Sequence, residues 1–114
     1  MDPEDRDATL TRAALAAAAG DRAALTVFIR GTQKDVWRFI AHLGHADNAD
    51  DLTQETYLRA MRSIVRFRGE SSAKTWLLSI ARRVCADDVR HARSRPRVSD
   101  VDWVAAADAR GARR

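Results

Sequence analysis

The chain has 114 residues, of which 46% are hydrophobic and 32% charged, with a net charge of +4. This length suits one small domain, and the apolar fraction is too high for a disordered chain. Cys85 is the single cysteine, which excludes an internal disulfide. No apolar run approaches the roughly 18 residues of a membrane span, and the first residues are acidic, unlike a secretory leader. We therefore expect a cytoplasmic protein with no membrane insertion.

Apolar periodicity and helix-end residues predict an all-helical chain. The predicted helices cover about residues 8–19, 21–43, 48–65 and 72–93. Gly20 is expected to end the first helix, and 44–47 to form a turn between the second and third. No long segment alternates between apolar and polar residues with period two. The predicted fold class is therefore all-α, a compact bundle of about four helices within a domain at 1–97.

The third predicted helix carries a core face and a polar ridge. At 100° per residue, the core face consists of Tyr57, Met61, Ile64 and Val65, and Leu52 lies off it.

The ridge, which we call the docking ridge, consists of Asp51, Gln54, Glu55, Leu58 and Arg62. One interpretation is a solvated face with charge pairs along the helix. The other is a docking surface, on which acidic and amide groups meet basic groups of a partner around a leucine. Periodicity alone leaves both open and favours the solvated face.

The positive charge is concentrated in one segment. Residues 1–61 hold seven basic and ten acidic residues, whereas 62–97 hold ten basic and three acidic ones. The predicted core residues of the fourth helix are Ala73, Leu77, Ile80, Ala81, Val84 and, at the edge, Cys85. The opposite face consists of Thr75, Ser79, Arg82, Arg83, Ala86, Arg90 and Arg93. Acidic residues are missing from this face, which favours nucleic-acid binding over an ordinary solvated face.

The segment before the fourth helix combines aromatic and cationic residues. Phe67, Arg68 and Gly69 precede it, and Trp76 lies at the boundary of its basic face. Such a loop offers single-stranded bases a stacking partner, a charge for the backbone and room to splay. The alternative is that Phe67 and Trp76 only close the core.

Catalytic and metal sites are not indicated. His42, His45 and His91 lack ligand spacing, and the adjacent Asp87 and Asp88 point to different faces of the helix. We expect Asp88 to lean toward the core and pair with an arginine. The sequence predicts no enzyme activity, no cofactor and no metal.

The segment "DDLTQETYLRAMRSIVRFRGESSAKTWLLSIARRVCADDVRHARSRPR", 50–97, resembles the second conserved region of bacterial extracytoplasmic-function (ECF) sigma factors, in the sigma-70 family. The upstream segment 20–43 resembles the amphipathic helices that precede this region. The DLxQE and TWLxxIA elements, at their proper separation, make the resemblance specific. It covers about residues 8–97.

The resemblance implies a sigma-factor domain that binds core RNA polymerase and recognises and melts the promoter minus-10 element. It places the docking ridge on the clamp helices of the largest polymerase subunit. Contact with the nontemplate strand of the minus-10 element would involve two sets of residues. Those of the loop are Phe67, Arg68, Gly69, Glu70, Ser71 and Ser72. Those of the helix are Lys74, Trp76, Ser79, Arg82, Arg83, Ala86 and Arg90.

Three features depart from the family pattern. Arg83 stands where the family commonly has Asn, and Ala73 and Lys74 stand where many members have aromatic residues. Residues 98–114 are expected to be a linker toward a C-terminal minus-35-binding domain that this chain lacks. An anti-sigma factor is the other expected partner. The competing hypothesis is a helical adaptor that binds only proteins.

Overall fold

The computed structural model describes residues 2–94, and side chains for 2–92. The predicted linker at 98–114 lies outside the described residues. Helices occupy most of the described chain, and no strand occurs within it, which confirms the all-helical prediction. The helices are α1, Pro3–Ala18; α2, Arg22–Ile40; α3, Ala49–Ser63; and α4, Ala73–Ser94.

The connection between α2 and α3 differs from the predicted turn. A π-helical segment, Ala41–His45, and a 3-10 segment, Ala46–Asn48, join the two helices. The path is kinked at Gly44, whose φ of 97° is a left-handed conformation that favours glycine. The described helical residues therefore form three runs, 3–18, 22–66 and 73–94, the second of them kinked at Gly44, rather than about four separate helices.

Helix α1 begins earlier than its apolar pattern predicted. Pro3 occupies the first turn, where its missing N–H costs no hydrogen bond, and Glu4 and Asp5 complement the positive end of the helix. The helix ends before Gly20, which has a φ of 105°. Asp21 then starts α2 by accepting a hydrogen bond from the Ala24 amide at 3.0 Å.

The core lies where all four α-helices meet. Phe28, Ile40 and Leu77 are among its largest fully buried side chains. One buried polar pair crosses it, because the Tyr57 and Thr32 hydroxyls lie 2.6 Å apart. Thr32 donates to the Phe28 carbonyl at 2.8 Å, so Tyr57 donates to Thr32.

The predicted core face of α3 was partly wrong. Tyr57 and Ile64 are buried, but Met61 is 47% exposed and Val65 70% exposed, whereas Leu52 is buried. The cause is that α3 packs against both α2 and α4, which shifts its buried stripe. That stripe consists of Ala49, Leu52, Thr56, Tyr57 and Ala60. The predicted core residues of α4 are all buried.

Candidate functional site

Helices α3 and α4 enclose an open groove of about 670 Å³. The residues that line it are Asn48, Asp51, Leu52, Gln54, Glu55, Leu58, Arg59, Val84, Asp87, Asp88 and His91. Four members of the docking ridge are among them, and Arg62 is exposed outside the lining. Leucines and carboxylates thus share one concave surface.

A network of charges crosses this groove. Arg59 donates from Nε to Glu55 Oε2 at 3.0 Å and from Nη1 to Asp87 Oδ2 at 2.7 Å. Asp87 also pairs with Arg90. The hydrogen bond from Arg59 holds the pKa of the Asp87 carboxyl below its usual range, with Arg90 adding to the effect. Through Arg59 the network joins Glu55 of α3 to Asp87 of α4.

Asp88 lines the groove on α4 and contacts the connection between α2 and α3. Its Oδ2 accepts a hydrogen bond from Asn48 Nδ2 at 3.2 Å and lies 3.5 Å from His45 Nδ1. Among residues 2–92, Asp88 pairs with no arginine, contrary to the expectation; its neighbour Asp87 has the arginines instead. These contacts tie the π-helical connection to α4.

The outer side of the docking ridge offers apolar surface. Gln54 and Arg62 are exposed, and Leu58 is 46% exposed. Met61 of α3 and Val65 of the 3-10 segment that follows it, Ile64–Arg66, extend this surface, although the sequence had placed both in the core. An exposed apolar strip beside a charged groove is typical of a protein interaction surface.

The loop before α4 keeps its aromatic residue inside the protein. Phe67 is only 7% exposed and packs on Trp76, with ring centroids 5.1 Å apart and an angle of 43° between the planes. This corrects the expectation that Phe67 offers its ring to a base, and it agrees with the alternative that these rings close the core. Arg68, Gly69 and Glu70 are exposed instead.

Hydrogen bonds hold both ends of this loop. At its start, the Phe67 amide donates to the Ile64 carbonyl at 2.9 Å. The Ser72 hydroxyl accepts from the Thr75 amide at 3.1 Å and so caps α4. The Ala73 amide donates to the Thr11 hydroxyl of α1 at 2.9 Å. The exposed segment 68–71 is therefore a short span between fixed ends, with Gly69 at a φ of 77°.

The predicted basic face of α4 is exposed, but its cations differ in their partners. Ser79, Arg82, Arg83, Ala86 and Arg90 are exposed. The Arg93 side chain lies outside the described residues.

Three of the predicted DNA-contacting cations have an intramolecular partner. Lys74 pairs with Asp35 of α2 at 3.2 Å, Arg90 pairs with Asp87, and Arg82 lies over the Phe39 ring. Within residues 2–92, Arg68 and Arg83 have no hydrogen bond or ion pair. These two arginines can engage an external anion without losing an internal contact.

Arg59, Asp35 and Asn48 hold the site together, and sequence reasoning did not single out their roles. The i, i+4 spacing of Glu55 and Arg59 is compatible with a charge pair along α3. The partners in other helices depend on the packing of α2 and α3 on α4, which no local pattern encodes.

The sequence matches the Sigma-70 region 2 family over residues 28–95. The chain belongs to the sigma-70 region 2 family. It is 58% identical over 93 residues to the ECF RNA polymerase sigma factor SigC of Mycobacterium tuberculosis, an alignment that covers 82% of this chain and 50% of that protein. This confirms the resemblance to ECF sigma factors.

Two further relatives of this region 2 chain come from other bacteria. The ECF RNA polymerase sigma factor SigX of Bacillus subtilis is 41% identical over 73 residues, covering 61% of this chain and 38% of the relative. The ECF RNA polymerase sigma-E factor of Salmonella typhimurium is 30% identical over 87 residues, covering 76% and 46%. The chain thus spans about half the length, or less, of these curated relatives.

Other classes of site find no support in the described part of the chain. Among its residues, no cluster of His, Cys, Asp or Glu could hold a metal ion. None of the helices there is both long and apolar enough to cross a membrane. Cys85 is buried, and that burial raises the pKa of its thiol.

Proposed function

We propose that this chain binds core RNA polymerase and recognises and melts the promoter minus-10 element, as part of an alternative sigma factor. The observation that carries the proposal is the pairing of two unlike surfaces on α3 and α4. The groove gathers the docking ridge, and the face of α4 turned away from the core presents arginines and small polar residues. One rigid helix pair can then hold polymerase and DNA at a fixed separation. In this role the domain is a binding module, and the catalysis of RNA synthesis belongs to the polymerase.

For the polymerase contact, the groove suits a helical partner that carries basic and apolar side chains. Asp51 and Glu55 would meet the cations, and Leu52 and Leu58 would receive the apolar groups. The proposed partner is the pair of clamp helices of the largest subunit. An anti-sigma factor that covers the same groove would compete with polymerase.

For the DNA contact, the exposed loop supplies groups that can hold an unstacked base. Arg68, Glu70 and Ser71 are exposed, and the buried Phe67 sets the direction in which the loop leaves the core. Melting would proceed by trapping: a nontemplate base that leaves the stack is held by the loop, while Arg83 and Arg90 neutralise the exposed strand.

The docking part is tested by Glu55→Lys. The lysine places a cation beside Arg59 and in the path of a basic partner, so co-purification with core polymerase should be lost while the helical circular dichroism is kept. The matched control is Glu4→Lys, the same charge change in the exposed first turn of α1. Capture of Glu55→Lys at the level of Glu4→Lys contradicts the docking assignment.

The DNA part is tested by titrating a minus-10 nontemplate oligonucleotide and a scrambled one of equal length. The chain should prefer the promoter sequence, and Arg68→Ala should lower the magnitude of the salt slope by about 0.7. Arg22→Ala is the control, because Arg22 is exposed at the far end of α2. Phe67→Ala is unsuitable, since emptying a buried aromatic site costs about 3–5 kcal/mol of stability. Equal affinity for both oligonucleotides, with no effect of Arg68→Ala, supports the protein-only adaptor instead.

A further inference from the structure

Arg82 is held differently from its cationic neighbours on α4. Its guanidinium carbon lies 5.4 Å from the centroid of the Phe39 ring of α2, and the side chain is exposed. Within residues 2–92 it has no carboxylate partner, whereas Lys74 and Arg90 each have one. A ring orients a guanidinium through its face and leaves the N–H groups at its edge free. The Phe39 ring therefore orients Arg82, while the N–H groups of Arg82 can still bind an external anion.

The same helix carries a further cation next to Phe39. At 100° per residue, Phe39 lies 60° and Arg38 160° from the line of the buried Val36, so Arg38 lies on the side of α2 away from the core. Arg38 is exposed and has no ion pair within the described residues. It is therefore an exposed cation close to the Arg82–Phe39 pair.

Few acidic groups lie near this flank. Asp35, one turn before Phe39 on α2, is engaged by Arg6 at 3.5 Å and by Lys74 at 3.2 Å. Asp50 of α3 accepts a hydrogen bond from the Trp37 indole at 2.8 Å. No acidic residue occurs in the α2 sequence from 36 to 40, or on α4 from 74 to 86. These stretches of the two helices therefore carry net positive charge.

We propose that α2 forms a second edge of the nucleic-acid surface, where Arg38 contacts phosphate groups of DNA and Phe39 positions Arg82 for the same role. This inference rests on the proposed function and extends its DNA surface onto α2, a helix for which the sequence analysis predicted no DNA contact. Arg82 and Trp76 lie about 120° apart around α4. DNA that begins at the 68–71 loop would cross the exposed face of α4 and reach this edge.

The test compares Arg38→Ala with Arg22→Ala in the nontemplate-oligonucleotide titration. Arg22 lies on the same helix, about 24 Å from Arg38 along its axis, and its loss removes the same charge. Arg38→Ala should lower the magnitude of the salt slope by about 0.7 and weaken binding about fivefold at 0.1 M salt, while Arg22→Ala changes neither. A parallel titration with duplex DNA of the same sequence shows which phosphates Arg38 contacts. If Arg38→Ala lowers the magnitude of the salt slope by about 0.9 for the duplex and leaves it unchanged for the single strand, Arg38 contacts double-stranded DNA.

The role of Phe39 is tested by a double-mutant cycle. Phe39→Leu should weaken binding about two- to fivefold in the wild-type background, the range expected for an exposed cation–π contact, and should have no further effect in Arg82→Ala. A purely structural role would weaken both backgrounds equally, which overturns the positioning role. If Arg38→Ala behaves as Arg22→Ala with both DNA forms, α2 is not part of the surface. If the wild-type chain binds neither form, the proposed DNA function itself fails.

Discussion

At the scale of single residues, the buried hydroxyl pair of Tyr57 and Thr32 should make the stability of the fold fall as the pH rises in the alkaline range. Burial raises the pKa of Tyr57 to about 12, with the charge of Asp35 adding and the Thr32 hydroxyl opposing. Because the folded pKa exceeds the unfolded value near 10, the contribution to stability is complete below about pH 10. It is lost as the pH rises through about 12. The loss should reach about 2 to 3 kcal/mol.

Replacing Tyr57 by Phe should destabilise the fold near neutral pH and stabilise it above pH 12. Near neutral pH the variant loses one hydrogen bond, about 0.5–1.5 kcal/mol, and no more, because Thr32 still donates to the Phe28 carbonyl. Above pH 12 the wild type carries the penalty and the variant does not. Denaturant unfolding of both proteins across this range measures the difference.

Tyr57 is the single tyrosine of the chain, so phenolate absorbance reports it alone. An apparent pKa near 10, with the fold still intact, contradicts the prediction.

At the scale of helices, α4 could be predicted from sequence and α3 only in part. In α4 the apolar residues follow one stripe and the arginines another, because the helix has one buried face and one exposed face. Helix α3 packs against two neighbours, so its buried stripe depends on where α2 and α4 lie. For this reason Leu52 is buried, although it was predicted to lie off the core face, and Met61 is exposed, although it was predicted to belong to that face. Periodicity gives the hydrophobic arc of a helix but does not locate its partners.

The same limit applies to the candidate site. The docking ridge could be read from its spacing, and the groove gathers most of it. The Arg59–Asp87 bridge could not be read, since 28 residues separate its ends. Phe67 illustrates the opposite error: an aromatic beside arginines matches a stacking site in sequence, yet its ring fills the space next to Trp76.

At the scale of the whole molecule, charge is divided between an acidic first half and a basic segment at 62–97, and Asp35 joins the two. It pairs with Arg6 of α1 and with Lys74 of α4. This carboxylate therefore neutralises one of the cations expected to contact DNA. Asp35→Asn should release Lys74 and tighten oligonucleotide binding about fivefold at 0.1 M salt. It should also raise the magnitude of the salt slope by about 0.7.

The cost of Asp35→Asn in stability should be small, about 1 kcal/mol, because both of its ion pairs are partly exposed to solvent. Asp47→Asn is the matched control: Asp47 is also acidic, is exposed, and has no ion pair within the described residues. Titration against salt, together with thermal unfolding, separates the two effects. If both variants bind alike, Lys74 serves to join α2 and α4 and makes no contact with DNA. If only Asp35→Asn binds more tightly, the ion pair limits the affinity of the isolated domain for single strands.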